Sequence, residues 1–421
     1  MRKKKILLIS QQFYPEIGSA GNRMKNMFLL LKDSGYEVTV ITAKPTYPEK
    51  QIYEEEKFWD EESFSEEHNQ YIHRVDVSNH KSSLNHIWRL MYYVEIALKM
   101  LLFVLKDKSK YDFVLATSPP IFIGIVGLFA KFRYRCRMIL DIRDLWPESL
   151  RGVGVFDHKW IIGFFNIVEK FLYVKSDHIL VNSPGFIEYI IQKANIRDSK
   201  ISFLPNAARQ SELQSEAVQN KEFKVIYAGN IGLAQDVDLL KGLTKKLNAH
   251  NIKISIAGYG IKKKELTNFV REENLQNTYF ISPMTRAECL KVNSEHHVGL
   301  VSLTNKEVFD TVIPGKVIDY ISCGVPMVAA VSGYSKDLIE KYKVGFVSEN
   351  RNIDEILHYI LKLSENPKLR KKMADNCDRC IKRDFLWEKN IQKVINLLES
   401  KESDLTSAIK AAGRKRKAES L

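Results

Sequence analysis

Cysteine is scarce in this chain. The five present, Cys136, Cys289, Cys323, Cys377 and Cys380, are mostly scattered, which excludes a disulfide framework and fits a reducing compartment. Cys377 and Cys380 form a CxxC, but no second pair or neighbouring histidine completes a zinc site, so two cysteines on one helical face are expected. Long apolar runs are missing as well. "IALKMLLFVL" is interrupted by Lys99, and neither it nor "IFIGIVGLFA" approaches the ~18 unbroken apolar residues of a membrane span. "MRKKKILLIS" puts basic residues before an apolar run, yet that run stops at Ser10-Gln11-Gln12, too short for a signal peptide and suited to a first strand. The expectation is a protein on the cytoplasmic side. Also absent is G-x-G-x-x-G after the first strand, and the second strand ends in Thr42-Ala43-Lys44 with no acid for a ribose, which argues against an NAD-dependent enzyme.

What is present points to two domains. A chain of 421 residues, 45% of them apolar, exceeds one ordinary core. Strands alternate with helices: "KKILLIS", "EVTVITA", "YDFVLATSP", "CRMILDIRD" and "HILVNSP" in the first half, then "FKVIYAGNIG", "IKISIAGYG", "TYFISPM", "VGLVSL", "VPMVAAV" and "GFVSE". This pattern predicts an α/β class of two doubly wound parallel sheets facing an inter-domain cleft. The N-terminal domain is set at residues 1–205, a linker at 206–222 and the C-terminal domain at 223–383. The helix of about 384–400 is expected to cross back, and 401–421 to be a disordered basic tail. The acidic run "PEKQIYEEEKFWDEESFSEE" is expected to face solvent.

The formal charge of +13 is uneven, with ten Lys/Arg against three acids between Lys81 and Arg137. They lie among aromatic residues, a mixture suited to an anionic membrane surface or, equally, to solvated amphipathic helices. Trp88, Arg89, Tyr92, Lys99, Arg133 and Arg135 are the candidate membrane contacts, with "KWIIGFFNIVEKFLYVK" as a second segment. No nucleic-acid recognition motif accompanies the charge.

Doubly wound sheets bind ligands beyond the carboxyl ends of their strands. There the sequence places Gly18 and Gly21 in a small-residue loop, Gly229, Asn230 and Gly232 in "YAGNIG", Gly258 after the next strand, and Met284 after "TYFIS". "PGKVIDYISCGVP" opens a helix at Pro314 and Gly315, where free N–H groups and the dipole favour an anion. Lys316 adds a full charge. Asp319, one turn on, can accept from ribose hydroxyls, and together these outline a nucleoside diphosphate. Taken alone, "PGKVIDY" is better read as a capped packing helix, and each glycine-rich or charged strand end could be a tight turn; their convergence on one cleft favours a site. "LDIRDLWPES" supplies Asp141, Arg143 and Asp144 as acceptor ligands, Asp144 being also a possible helix cap.

The ordered series "QQFYPE…GSAGNR", "EVTVITAKPTYP", "DIRDLWPES", "VNSPGF", "LPNAA", "YAGNIGLAQ" and "IPGKVIDYISCGVPMV" resembles the retaining glycosyltransferases of family 4, of GT-B fold. The resemblance runs to about Trp387 and is closest to the bacterial surface-polysaccharide branch, with its N-acetylfucosaminyl transferase-like members. It implies metal-independent transfer of a sugar, an N-acetylated hexosamine or deoxyhexosamine, from a UDP-linked donor to a polyprenyl-diphosphate-linked acceptor in capsule, O-antigen or exopolysaccharide assembly. No cofactor is implied. Asp319 takes the place of the second glutamate of the family's E-x7-E element, and the first falls at Thr311. The family's Arg and Lys clamp has no counterpart in "GNIGLAQ", which leaves Lys316 for that charge. Lys316, Asp144 and Arg143 are the catalytic candidates. A sugar-nucleotide epimerase of the same architecture is the main alternative. "DVD" at 236–238 imitates a metal motif but sits where acids cap a helix, and His296-His297 lack ligands at metal spacing.

Overall fold

The computed structural model describes residues 2–61, 64–78, 86–152, 159–213 and 222–400. Lys81, the linker stretch 214–221 and the expected tail 401–421 lie outside them.

Strands β1 (Lys5–Ile9), β2 (Glu37–Ala43), β3 (Ile72–Val75), β4 (Phe113–Ser118), β5 (Arg137–Ile142), β6 (His178–Val181) and β7 (Ile201–Phe203) form one parallel sheet, in the order β3-β2-β1-β4-β5-β6-β7. A second parallel sheet has the order β10-β9-β8-β11-β12-β13, built from β8 (Lys224–Asn230), β9 (Lys253–Tyr259), β10 (Thr278–Phe280), β11 (Val298–Ser302), β12 (Met327–Ala330) and β13 (Gly345–Val347). The central strands are nearly continuous apolar runs because helices cover both faces; every residue of "FVLATS" in β4 is buried. In each sheet the winding reverses once, between β1 and β4 and between β8 and β11. The crevices at these two points are where such sheets hold ligands.

The last helix, Trp387–Glu399, belongs to the first core. Its Trp387, Ile391, Val394 and Leu398 pack among Phe28, Leu31, Val38 and Leu204. The chain returns beside its own outward crossing, where Ala208 N–H donates to the Phe385 carbonyl at 3.0 Å and Trp387 N–H to the Ala208 carbonyl at 3.0 Å.

Two local expectations are corrected. Gly18 to Gly21 is not a loop: Gly18 caps the helix Ser19–Asp33, so the small residues form its first turn. The acidic run is not simply solvent-facing either. Tyr53, Phe58 and Phe64 in it are buried, and Phe64 lies 4.5 Å from Tyr14 and 5.9 Å from Phe28, ring centre to ring centre. Glu49, Glu54, Glu55, Glu56, Asp60 and Glu67 are exposed and Glu61 is paired with the buried Lys25, while the three buried aromatic residues anchor the run over the first core.

Candidate functional site

Two helix N-termini from opposite domains meet in the cleft. A Cβ added to Gly315, the first residue of the helix Gly315–Ser322, would stand 3.0 Å from the Ser19 Cβ of the helix Ser19–Asp33. The opening N–H groups of a helix have no carbonyl to bond within it, so both ends aim donors and positive dipole charge at one place. Gly18 reaches its helix with φ at +120°, and a Cβ there would stand 3.2 Å from the Tyr259 hydroxyl across the cleft. Only glycine adopts this backbone without strain.

Lys316 completes the arrangement. Its Nζ is buried, has no hydrogen-bond partner among the described residues, and lies 3.6 Å from the centre of the Tyr227 ring. Gly229, with φ at +115°, walls it in; a Cβ there would stand 3.6 Å from Lys316 Cε. Burial pushes the amine down to about 7, and the Asp319 charge only partly opposes this. A buried cation held on an aromatic face with its donors unspent is prepared for an anion.

The remaining donor-side candidates divide. Pro314 is the cap of the Lys316 helix. Asn230 accepts a hydrogen bond from the Tyr47 hydroxyl of the other domain at 2.7 Å. Gly232 N–H is spent on Gln235 Oε1 at 2.9 Å, Gly258 exists to admit Ile231, and Met284 packs against the second core. Gly21 likewise makes room for the Glu16 carbonyl, 2.2 Å from where its Cβ would lie, and is a packing glycine.

Asp319 is not free, as its ribose role alone would have it. Arg286 donates to its Oδ1 at 2.6 Å and to Glu212 Oε1 at 3.1 Å. Burial holds the Asp319 carboxyl above the usual range in spite of Arg286. Sequence reasoning missed Arg286, although the signal was there. Thr285 and Glu288 form a capping box, which fixes Arg286 at the first position of a helix following β10. Arg286→Met should raise Asp319 further and weaken nucleotide binding about tenfold, roughly 1.4 kcal/mol, in a calorimetric titration. Thr311 sits against the other domain, its carbonyl accepting from the Ser183 hydroxyl, while its own hydroxyl donates to Val308 O at 2.7 Å.

At the end of β5 the three candidates separate. Asp141, expected to bind acceptor, is 0% exposed and is gripped by Arg23, with Nη2 at 2.6 Å and Nε at 3.0 Å. It is structural, because a strand residue three positions before Asp144 points into the fold. Arg143 is held by the Pro119 carbonyl at 2.8 Å, its Nε buried without a partner, and burial lowers it to about 10. Burial pushes Asp144 up to about 6, against the Ser149 hydroxyl, the Leu145 N–H and the Arg143 charge. Arg143 and Asp144 are half-buried, and the bonds to Ser149 and Leu145 fit the helix-cap alternative for Asp144.

The imitations resolve structurally. Asp236 Oδ1 accepts from Leu239 N–H at 2.9 Å as a helix cap. His296 is bonded to Val292 O and Ser255, and His297 accepts from Lys224 N–H. Among the described residues no group of three or more His, Cys, Asp or Glu is placed to hold a metal, and no helix is long and apolar enough to cross a membrane. Of the membrane candidates, Tyr92 is corrected: it is 1% exposed, its hydroxyl 3.1 Å from Thr46 Oγ1. Arg89 is turned inward with its Nε buried. Lys99 is tied to Glu95 at 2.6 Å and the Asp76 carbonyl at 2.7 Å. Trp88, Arg133 and Arg135 are exposed.

Two parallel sheets whose switch points share one cleft define the GT-B class, and solved structures agree. The Anabaena protein HepE with UDP and glucose superposes with a TM-score of 0.69 at 17% identity, covering 94% of this chain and 100% of that one. Sucrose-phosphate synthase from Thermosynechococcus elongatus gives 0.70 at 15% identity, covering 94% and 98%. The glycosyl transferase 4-like domain matches residues 18–207, and the glycosyl transferases group 1 family matches residues 208–379. The chain belongs to the group 1, family-4-like nucleotide-sugar glycosyltransferases. A candidate colanic acid biosynthesis glycosyl transferase of Escherichia coli, WcaI, is 22% identical over 79% of this chain and 84% of its own. The Campylobacter jejuni N-acetylgalactosamine-N,N'-diacetylbacillosaminyl-diphospho-undecaprenol 4-alpha-N-acetylgalactosaminyltransferase is 30% identical over 27% and 33%.

Proposed function

We propose that the protein moves a sugar from a UDP-linked donor to a polyprenyl-diphosphate-linked glycan in surface-polysaccharide assembly, with retention and without a metal. The observation that carries the reading is Lys316 Nζ, buried and unpartnered where two helix N-termini meet. UDP is favoured because HepE was solved with it, and a lipid diphosphate acceptor because the Campylobacter relative's name specifies one.

The diphosphate lies beside the point where the Ser19 and Gly315 helix ends meet, with Lys316 against it and the ribose hydroxyls on the free side of Asp319. As the bond from sugar to diphosphate breaks, negative charge grows on the leaving oxygen, and Lys316 and the helix N–H groups stabilise it. This is electrostatic catalysis from groups oriented before the reaction begins. Asp144, ionised above about pH 6, accepts a hydrogen bond from the incoming acceptor hydroxyl or orients the sugar, with Arg143 beside it. The acceptor then attacks from the face the diphosphate leaves, and its proton passes to the departing phosphate.

The test is calorimetric titration with UDP, GDP and ADP, repeated on Asp319→Ala. Selective UDP binding that weakens at least tenfold in the variant is expected. Equal affinity for all three nucleotides would refute UDP as the donor's nucleotide, and no binding of any would refute the site.

A further inference from the structure

We propose that the outer face of three neighbouring helices, His86–Lys106, Ile121–Tyr134 and Lys159–Lys175, docks on an anionic phospholipid bilayer. The inference stands apart from the nucleotide site. It departs from the sequence expectation in its residues, since Tyr92 and Arg89 face inward.

Each helix carries an outward apolar stripe. On Lys159–Lys175 the stripe is Trp160, Phe164, Ile167, Phe171 and Val174, spaced by four and three residues, with Trp160 76% and Ile167 71% exposed. Met91, Leu98, Leu102 and Leu105 do the same on His86–Lys106, opposite its buried row of Tyr92, Ile96, Met100 and Val104. Phe129 and Phe132 lie on the helix between. The helices are tied at their C-terminal ends, where the Tyr134 hydroxyl donates to Val104 O at 3.1 Å and Lys131 Nζ to Lys175 O at 2.8 Å. A patch of this breadth on one face of a soluble fold marks a contact surface.

Charge selects the occupant. Lys106, Arg133, Arg135, Lys170 and Lys175 are exposed around the stripes. The acids on the described parts of these helices are spent: Glu95 on Lys99 at 2.6 Å and on Ser78 N–H, Glu169 on Lys193 at 2.8 Å. A second copy meeting this face across a two-fold axis would set like charges together. Anionic head groups neutralise them while the apolar side chains enter the acyl boundary. Helices that connect parallel strands run opposite to them, so all three begin at the cleft end of the domain. The docked face therefore extends to the cleft end of the domain, the end that a bilayer-held substrate has to reach.

Co-sedimentation of the full chain with phosphatidylcholine vesicles, plain or containing phosphatidylglycerol, tests this. At least tenfold more binding to the anionic vesicles is expected. Phe164→Glu with Ile167→Glu should bring it down to the plain level, and Arg133→Glu with Arg135→Glu should weaken it and flatten its salt dependence. Circular dichroism and the urea midpoint check that both variants fold. Indifference to head-group charge, or full binding by both variants, overturns the proposal. So does a dimer that the first variant splits while vesicle binding stays the same, which would make the face an interface between copies.

Discussion

Alanine at Lys316 should cut turnover at saturating donor by about a hundred- to a thousand-fold, the usual effect of removing one preorganised donor from developing negative charge. Loss of the buried cation removes an interaction that strengthens as the diphosphate departs, so kcat should fall more than donor affinity. The same side chain sets a pH signature. With its amine at about 7 in the empty site, Lys316 is charged below that value and increasingly neutral above it. A bound diphosphate favours the charged form, so binding takes up a proton wherever the free site has lost one. UDP affinity should be fully present below about pH 7 and weaken, approaching tenfold per unit, as pH rises toward the bound-state value. Titration at pH 8 in two buffers of different ionisation heat measures the uptake. A pH-independent affinity, or the same uptake in Lys316→Ala, would show that the amine does not meet the anion.

The second large effect lies under the site. Arg23 and Asp141 are 1% and 0% exposed, and Arg23 also donates to the Pro205 carbonyl at 3.1 Å and stacks 5.6 Å from the Trp387 ring. Replacing Arg23 with Met leaves a buried carboxylate unpaired and should cost about 3–5 kcal/mol. Pairing that change with Asp141→Leu removes the stranded charge and should restore more than half of the loss, read as the urea midpoint. If single and double variants lose the same stability, the lost packing on Trp387, not the charge, governs the contact.

Much of the fold was written in strand-length apolar runs, because parallel strands covered on both faces announce themselves. β3 was not. It is a four-residue edge strand with His73 and Arg74 inside it, and its pairing with β2 depends on neighbours distant in sequence. At the site, Lys316 was found from its place at a helix start, where backbone and charge act locally. What stayed hidden was pairing at a distance: Arg23 with Asp141, Arg286 with Asp319 and Glu212, Tyr47 with Asn230. Asp141 and Asp144 looked alike in "DIRD" because a motif gives spacing and not direction. The stripe from Trp160 to Val174 was visible as a spacing, but only the three-dimensional arrangement joins it to two further helices.

The return of the final helix to the first core also shapes how the protein comes into being. Synthesis proceeds from the N-terminus at roughly 5–20 residues per second. The stretch from Phe203, the end of the first sheet, to Trp387 therefore takes on the order of ten to forty seconds to emerge. Throughout that interval the groove that Trp387, Ile391 and Val394 will fill stands open on the ribosome, and the early domain waits for the last part of its own chain.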